Sequence, residues 1–130
     1  MSPFLSKHSS TIFAAMRFVT GFLYACHGAQ KMLGAFGGMD IAGKPLFIAA
    51  GIIELSCGSL IALGLLTPFA AFIASGEMAV AYFLMHFPGG AWPIMNHGEL
   101  SAVYCFVFLY ISAHGSGPLS IDAALMKARK

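Results

Sequence analysis

Charge is what this sequence has least of. Only 9% of its 130 residues are Asp, Glu, Lys or Arg, against roughly 25% in an ordinary soluble domain. With 58% of the residues hydrophobic, this scarcity excludes a water-soluble globule, because one small body cannot hide that many apolar side chains. Most of them must face lipid, which makes the chain an integral membrane protein of one domain, residues 1–130. The net charge is only +2 and the basic residues are scattered, so a nucleic-acid surface is excluded too. Cysteine is nearly absent. Cys26, Cys57 and Cys105 have no C-x-x-C spacing and each lies in an apolar run, which argues for small buried hydrophobes rather than disulfides or a zinc site. There is no internal repeat and no low-complexity tract.

Long apolar runs, by contrast, are plentiful. A membrane-crossing helix needs about 20 mostly apolar residues, and four stretches qualify: residues 10–33, 46–66, 68–87 and 97–114. The expected fold is all-α, a four-helix membrane bundle. "LLTPF" joins the second and third spans so tightly that they must be antiparallel; Thr67 can cap the third helix, with Pro68 in its first turn. "GAFGGMDIAGKP" and "FPGGAWPIMN" read as the longer loops. Lys7, Lys127, Arg129 and Lys130 fall on one side, and Lys44 with Lys31 on the other. The positive-inside rule therefore expects both termini in the cytoplasm. Trp92 and tyrosines near span ends suit interfacial anchoring. "LYAC" at 23–26 faintly resembles a lipoprotein cleavage box, but Arg17 interrupts the apolar core it would need, so the first span is read as a retained helix.

Against that background the interior charges stand out. A charged residue at a helix centre costs roughly 2.5–3.5 kcal/mol to insert, and each Leu, Ile or Phe returns about 0.3–0.6. The second span holds eleven such apolar residues, worth about −5 kcal/mol, and inserts despite Glu54. The first span carries Arg17, His27, Gln30 and Lys31 against seven strongly apolar residues, so it needs the other helices around it. At about 1.5 Å rise per residue, Arg17, Glu77 and Glu54 lie about 10, 12 and 18 Å from the cytoplasmic ends. The faces agree. Arg17, Gly21, Tyr24, Gly28 and Lys31 recur on one stripe; Glu54 lies between Gly51 and Gly58, and Glu77 between Ala74 and Ala81. Small residues beside each acid allow close helix approach in lipid. Two carboxylates and one guanidinium do not neutralise each other, so either a carboxyl holds a proton or His27 or Lys31 shares the site. Ionisable groups inside a membrane are functional-site candidates; the alternative is a structural ion pair that fixes helix register.

Other polar groups carry weaker readings. Asn96 stands three residues before Glu99, the arrangement of a capping box, while Glu99 also shares a stripe with Val103, Phe106 and Tyr110 that brings it to the outer mouth. His27, His86 and His97 could gather there with Met32, Met85 and Met95, but no ligand spacing is specific, and no metal is expected. "GMDIAGKP" mimics a phosphate-binding loop, yet Pro45 replaces the required Ser or Thr and no strand precedes it. His8 is read as solvated and His114 as a helix end.

Taken together these residues resemble the DoxX family of small four-helix bacterial membrane proteins. The likeness rests on "RFVTGFLYACHGAQKMLGAFGG" from Arg17, "GIIELSCGSLIALGLLTPFAA" from Gly51, "GEMAVAYFLMH" from Gly76, "NHGELSAVYCFVFLY" from Asn96 and "GSGPLSID" from Gly115. The resemblance implies a multi-pass plasma-membrane protein linked to redox chemistry, since the family is named alongside a thiosulfate:quinone oxidoreductase. Arg17, His27, Gly28, Lys31, Glu54, Glu77 and Glu99 match its polar motif positions. The family offers no securely assigned catalytic residue, and this chain has no flavin motif, haem-ligand pattern or soluble redox domain.

The expected function is thus a membrane subunit of a quinone-linked oxidoreductase system. Arg17, Glu54 and Glu77 would form the interior polar site, with His27, Lys31 and Glu99 as its outer extension. Quinone is the candidate cofactor, and the bilayer, a redox protein and further copies of the chain are the candidate partners. Two rivals remain at this point: a non-catalytic binding or assembly module, and a small transporter or proton pathway. A cavity touching Glu54 and open to lipid favours quinone, a continuous polar path from Arg17 to Glu99 favours transport, and a fully paired core favours assembly.

Overall fold

Helix is the only regular element among residues 3–129, which the computed structural model describes. Lys130, one of the charges counted for orientation, lies outside the described residues. The helices are α1 (Ser9–Met32), α2 (Pro45–Leu63), α3 (Thr67–Ala81), a short α4 (Pro93–Asn96), α5 (Glu99–His114) and α6 (Ile121–Ala128). A π turn over Tyr82–His86 and a 3-10 turn over Phe87–Gly89 continue α3.

Packing follows the small-residue stripes. α1 lies most extensively against α2, α3 against α5, and α2 with α3 joins the two pairs. Gly21 and Gly28 of α1 face Gly58 and Gly51 of α2 so closely that the backbones touch. A Cβ on Gly58 would stand 2.5 Å from the Ala25 amide nitrogen and 2.7 Å from the Gly21 carbonyl oxygen. Without a hydrophobic drive between helices in lipid, such contact is what holds them. Gly58→Ala is therefore expected to destabilise the bundle by about 1–3 kcal/mol, the usual range for overpacking, read as a lower unfolding midpoint in detergent.

The side chains confirm a membrane protein. Phe18, Phe22, Phe69, Phe72, Phe83 and Phe106 are all exposed, on a scale that a soluble monomer rarely shows. Three helical stretches are long and apolar enough to cross a bilayer: Ser6–Met32, Pro45–Leu63 and Thr67–Gly89. The fourth expected span is shorter. α5 has 16 residues, or about 24 Å, against a hydrocarbon thickness of about 30 Å. Its start is delayed because His97 turns left-handed (φ 60°) and Gly98 occupies the cap position.

Two expectations about helix starts are corrected. α5 has no side-chain cap, so Asn96 and Glu99 form no capping box. Asn96 instead accepts the Gly98 N–H at 2.8 Å and donates to the Gly90 carbonyl, also at 2.8 Å. Thr67 does not cap α3, because it is already inside the helix and its buried hydroxyl has no partner. The capping acid comes from α6: Asp122 accepts from the Leu66 and Thr67 amides at 2.9 and 3.2 Å. A carboxylate at a helix N-terminus also suits the helix dipole.

The same end of the bundle holds Arg17. α2 stops at Gly64, whose left-handed φ of 72° permits the paired bonds Gly64 N–H to Ile61 O and Leu65 N–H to Leu60 O that close a helix C-terminus. Arg17, 3% exposed, donates to the carbonyls of Ile61 and Ala62 on that last turn and to Leu119 beyond α5. A cation thus meets the negative end of α2 and an anion the positive end of α3. The Asp122 amide donates to the Gly64 carbonyl, and Phe13 packs on His114 at 3.9 Å between ring centres. The first turns of α1, the end of α5, the start of α6 and the α2–α3 turn therefore lie together.

Candidate functional site

The stripe that begins at Arg17 continues up α1 to two further polar groups, and each finds an acid. Lys31 donates to both oxygens of Glu54, at 2.8 and 2.5 Å, with the two side chains 10% and 5% exposed. Reach explains this pairing. Lys31 lies near the top of α1, but its flexible four-carbon stem carries the ammonium to the level of Glu54. Tyr24 is fully buried, with its ring against Phe108 at 4.8 Å, and its hydroxyl donates to Glu77 Oε2 at 2.8 Å. Tyr24 is the member of the site that sequence reasoning left out. Its place on the Arg17–Lys31 stripe was the available signal.

These four residues line one cavity of about 740 Å³ among α1, α2, α3 and α5. Its α2 residues run from Leu46 to Glu54 and its α3 residues begin at Phe72, so it fills the half of the bundle away from the α2–α3 turn. The walls are apolar, including Phe47, Ile53 and Leu100. Phe72, Ile73, Val80 and Leu84 line the cavity and are all exposed, so protein does not seal it on that side. The π turn contributes Leu84, Met85 and His86; such irregular turns often occur at functional sites.

The other candidates divide. His27, His86 and His97 also line the cavity, with His86 held by the Asn96 carbonyl at 3.2 Å. Among the described residues no three His, Cys, Asp or Glu side chains gather as a metal would require. Arg17 does not join Glu54 and Glu77, because the helix-end carbonyls take its guanidinium. Glu99 is exposed and outside the cavity lining. The site thus consists of one closed ion pair, Lys31–Glu54, and one carboxyl, Glu77, whose hydrogen-bond partner is a neutral phenol.

Residues 12–87, from α1 through the π turn, match the DoxX family. The chain belongs to the DoxX family. That match covers Tyr24, Lys31, Glu54 and Glu77 and stops short of α5. The DoxX chain is also 38% identical over 130 residues to an uncharacterized protein of Haemophilus influenzae, across 95% of this chain and 97% of the relative. No solved structure matches it.

Proposed function

We propose that this DoxX protein is the integral membrane subunit of a quinone-linked oxidoreductase system in a bacterial plasma membrane, and that the cavity holds the quinone headgroup. The observation that carries this reading is an apolar cavity, unsealed beside Phe72, Ile73, Val80 and Leu84, with Lys31, Glu54, Tyr24 and Glu77 gathered inside it. The chemistry fits. Ligand cavities of about 300–1,000 Å³ with mostly apolar walls and few polar groups are typical, and a lipid-soluble carrier needs lateral entry. A quinone, when bound, supplies a two-electron, two-proton couple. Lys31 keeps a third N–H for a carbonyl oxygen beyond the two that Glu54 accepts, and His27 adds a second polar group in the lining. The carboxyls of Glu54 and Glu77 can take and return protons inside a space that excludes bulk water. Electrons would be exchanged with a redox protein partner.

Arg17 and Glu99 take other parts in this proposal. Arg17 closes the end of α2 away from the cavity, and Glu99 is exposed at the start of α5. Because Arg17 is enclosed by carbonyls and Glu99 lies outside the cavity, the polar path that transport needs is interrupted, which favours binding. The basic residues Lys7, Lys127 and Arg129 support a cytoplasmic position for the end that carries both termini.

Gly76 offers a clean test. It lines the cavity, and a Cβ there would meet nothing within 4 Å, so Gly76→Phe fills space without disturbing the helix. Mass spectrometry of the organic extract should find quinone or quinol with the wild-type protein after purification in mild detergent, and about tenfold less with the variant, the loss expected from about 1.4 kcal/mol. Absence of any quinone from the wild type, or equal amounts in both, would sink the proposal.

A further inference from the structure

Hydrogen-bond polarity inside the cavity points to one redox form of the occupant. Resting on the quinone reading above, we propose that the site selects the dihydroxy form of the carrier over the dione form, with Glu77 as the group that discriminates. The ammonium of Lys31 gives two N–H groups to the oxygens of Glu54, and its third can serve a carbonyl or a hydroxyl oxygen alike, since both accept. Glu77 is differently placed. One of its oxygens accepts from the buried Tyr24 hydroxyl, and the carboxyl itself lines the cavity. Among the described residues it has no cation of its own. In its ionised form Glu77 therefore has a second oxygen that offers only lone pairs to whatever enters.

A dione carbonyl also presents only lone pairs, and two such oxygens repel when no proton lies between them. A ring hydroxyl brings the missing proton and donates to the carboxyl oxygen, making the stronger, charge-assisted kind of bond. The cavity wall strengthens the contrast, because low polarity enlarges both the attraction and the repulsion. Tyr24 acts here as a positioning residue. Its hydroxyl holds one oxygen of the carboxyl and leaves the other for the occupant. The other polar groups on the lining, His27, His86 and His97, can each donate or accept according to tautomer, so they do not discriminate between the two forms. The selection falls to Glu77.

The test compares a decyl-tailed benzoquinone with its hydroquinone, titrated anaerobically into the full-length protein in lipid nanodiscs. The wild type should bind the hydroquinone roughly tenfold or more tightly, the factor expected of one hydrogen bond to a charged group. Such a preference raises the potential of the bound couple by about 30 mV per factor of ten. Glu77→Gln replaces one acceptor oxygen with an N–H donor, and the preference should fall to about one or invert. Tyr24→Phe leaves the carboxyl in place but removes the hydroxyl that holds it, so the hydroquinone preference should shrink without inverting, which serves as a second arm if the Gln variant does not fold. Equal binding of both forms by the wild type, or tighter binding of the dione, overturns the selection while leaving the quinone reading standing. Failure of both forms to bind overturns the two together.

Discussion

Replacing Lys31 by methionine or Glu54 by leucine, one at a time, is expected to destabilise the protein by about 3–5 kcal/mol, and replacing both together should recover most of that loss. The asymmetry comes from burial. The pair lies at a depth where both side chains are almost wholly enclosed, so each charge is tolerable only because the other is bonded to it. Removing one partner leaves the other uncompensated. Removing both leaves an apolar contact of similar volume. Thermal unfolding of the four proteins in the same detergent measures this. Single variants as stable as the wild type would show that the pair adds nothing to the fold. The double variant has a second use. It keeps the bundle while deleting the third Lys31 N–H, so the quinone found with the wild type should be lost from a protein that is still folded.

Arg17→Met should be comparably severe, at about 3 kcal/mol or more, because it removes the donor to three main-chain carbonyls at once, that of Ile61 in a buried bond. Arg17→Lys should recover only part, since an ammonium cannot reproduce the planar fork that spans Ile61, Ala62 and Leu119. Ligand binding by whatever fraction folds should be unchanged, because Arg17 lies outside the cavity. Denaturation midpoints and quinone content, measured on the same preparations, separate the two effects. A folded Arg17→Met protein without quinone would place the guanidinium back in the site.

Much of this was legible in the sequence. The helix period gave the correct stripe, since Arg17, Tyr24, Gly28 and Lys31 all face inward, and the glycines beside Glu54 correctly marked a close helix contact. Counting rise put Arg17 near the level of Glu54 and Glu77, whereas its guanidinium is held at the end of α2 and the two acids line the cavity. What it could not give was the choice of partner. Depth and face leave the direction around the bundle open, so Arg17 read naturally as the counter-ion of Glu54 and Glu77. Its true acceptors are main-chain oxygens at the end of α2, and no side-chain pattern records them. Lys31 was legible as a candidate because its stem is long, yet its rank over Arg17 needed coordinates.

The helix ends failed for a related reason. Thr67 before Pro68 has the composition of a local cap, but Asp122 lies 55 positions away in sequence and reaches the same amides first. Capping from another helix has no local signature. Asn96 and Glu99 have the right spacing for a capping box, but the His97–Gly98 backbone turns away before the helix begins. Tyr24 was visible on its stripe and was overlooked because only formal charges were weighed; a phenol that shares a face with a lysine deserves the same weight.

The contacts of Arg17 and Asp122 also set an order in time. The ribosome makes Leu119 102 residues after Arg17, so neither the third acceptor of the guanidinium nor the lid on the first turn of α3 exists until α1, α2, α3 and α5 have all been made. Until then only the α2 terminus shelters that charge, and the stretch from Leu119 to Asp122 acts as a clasp laid across helices made long before it.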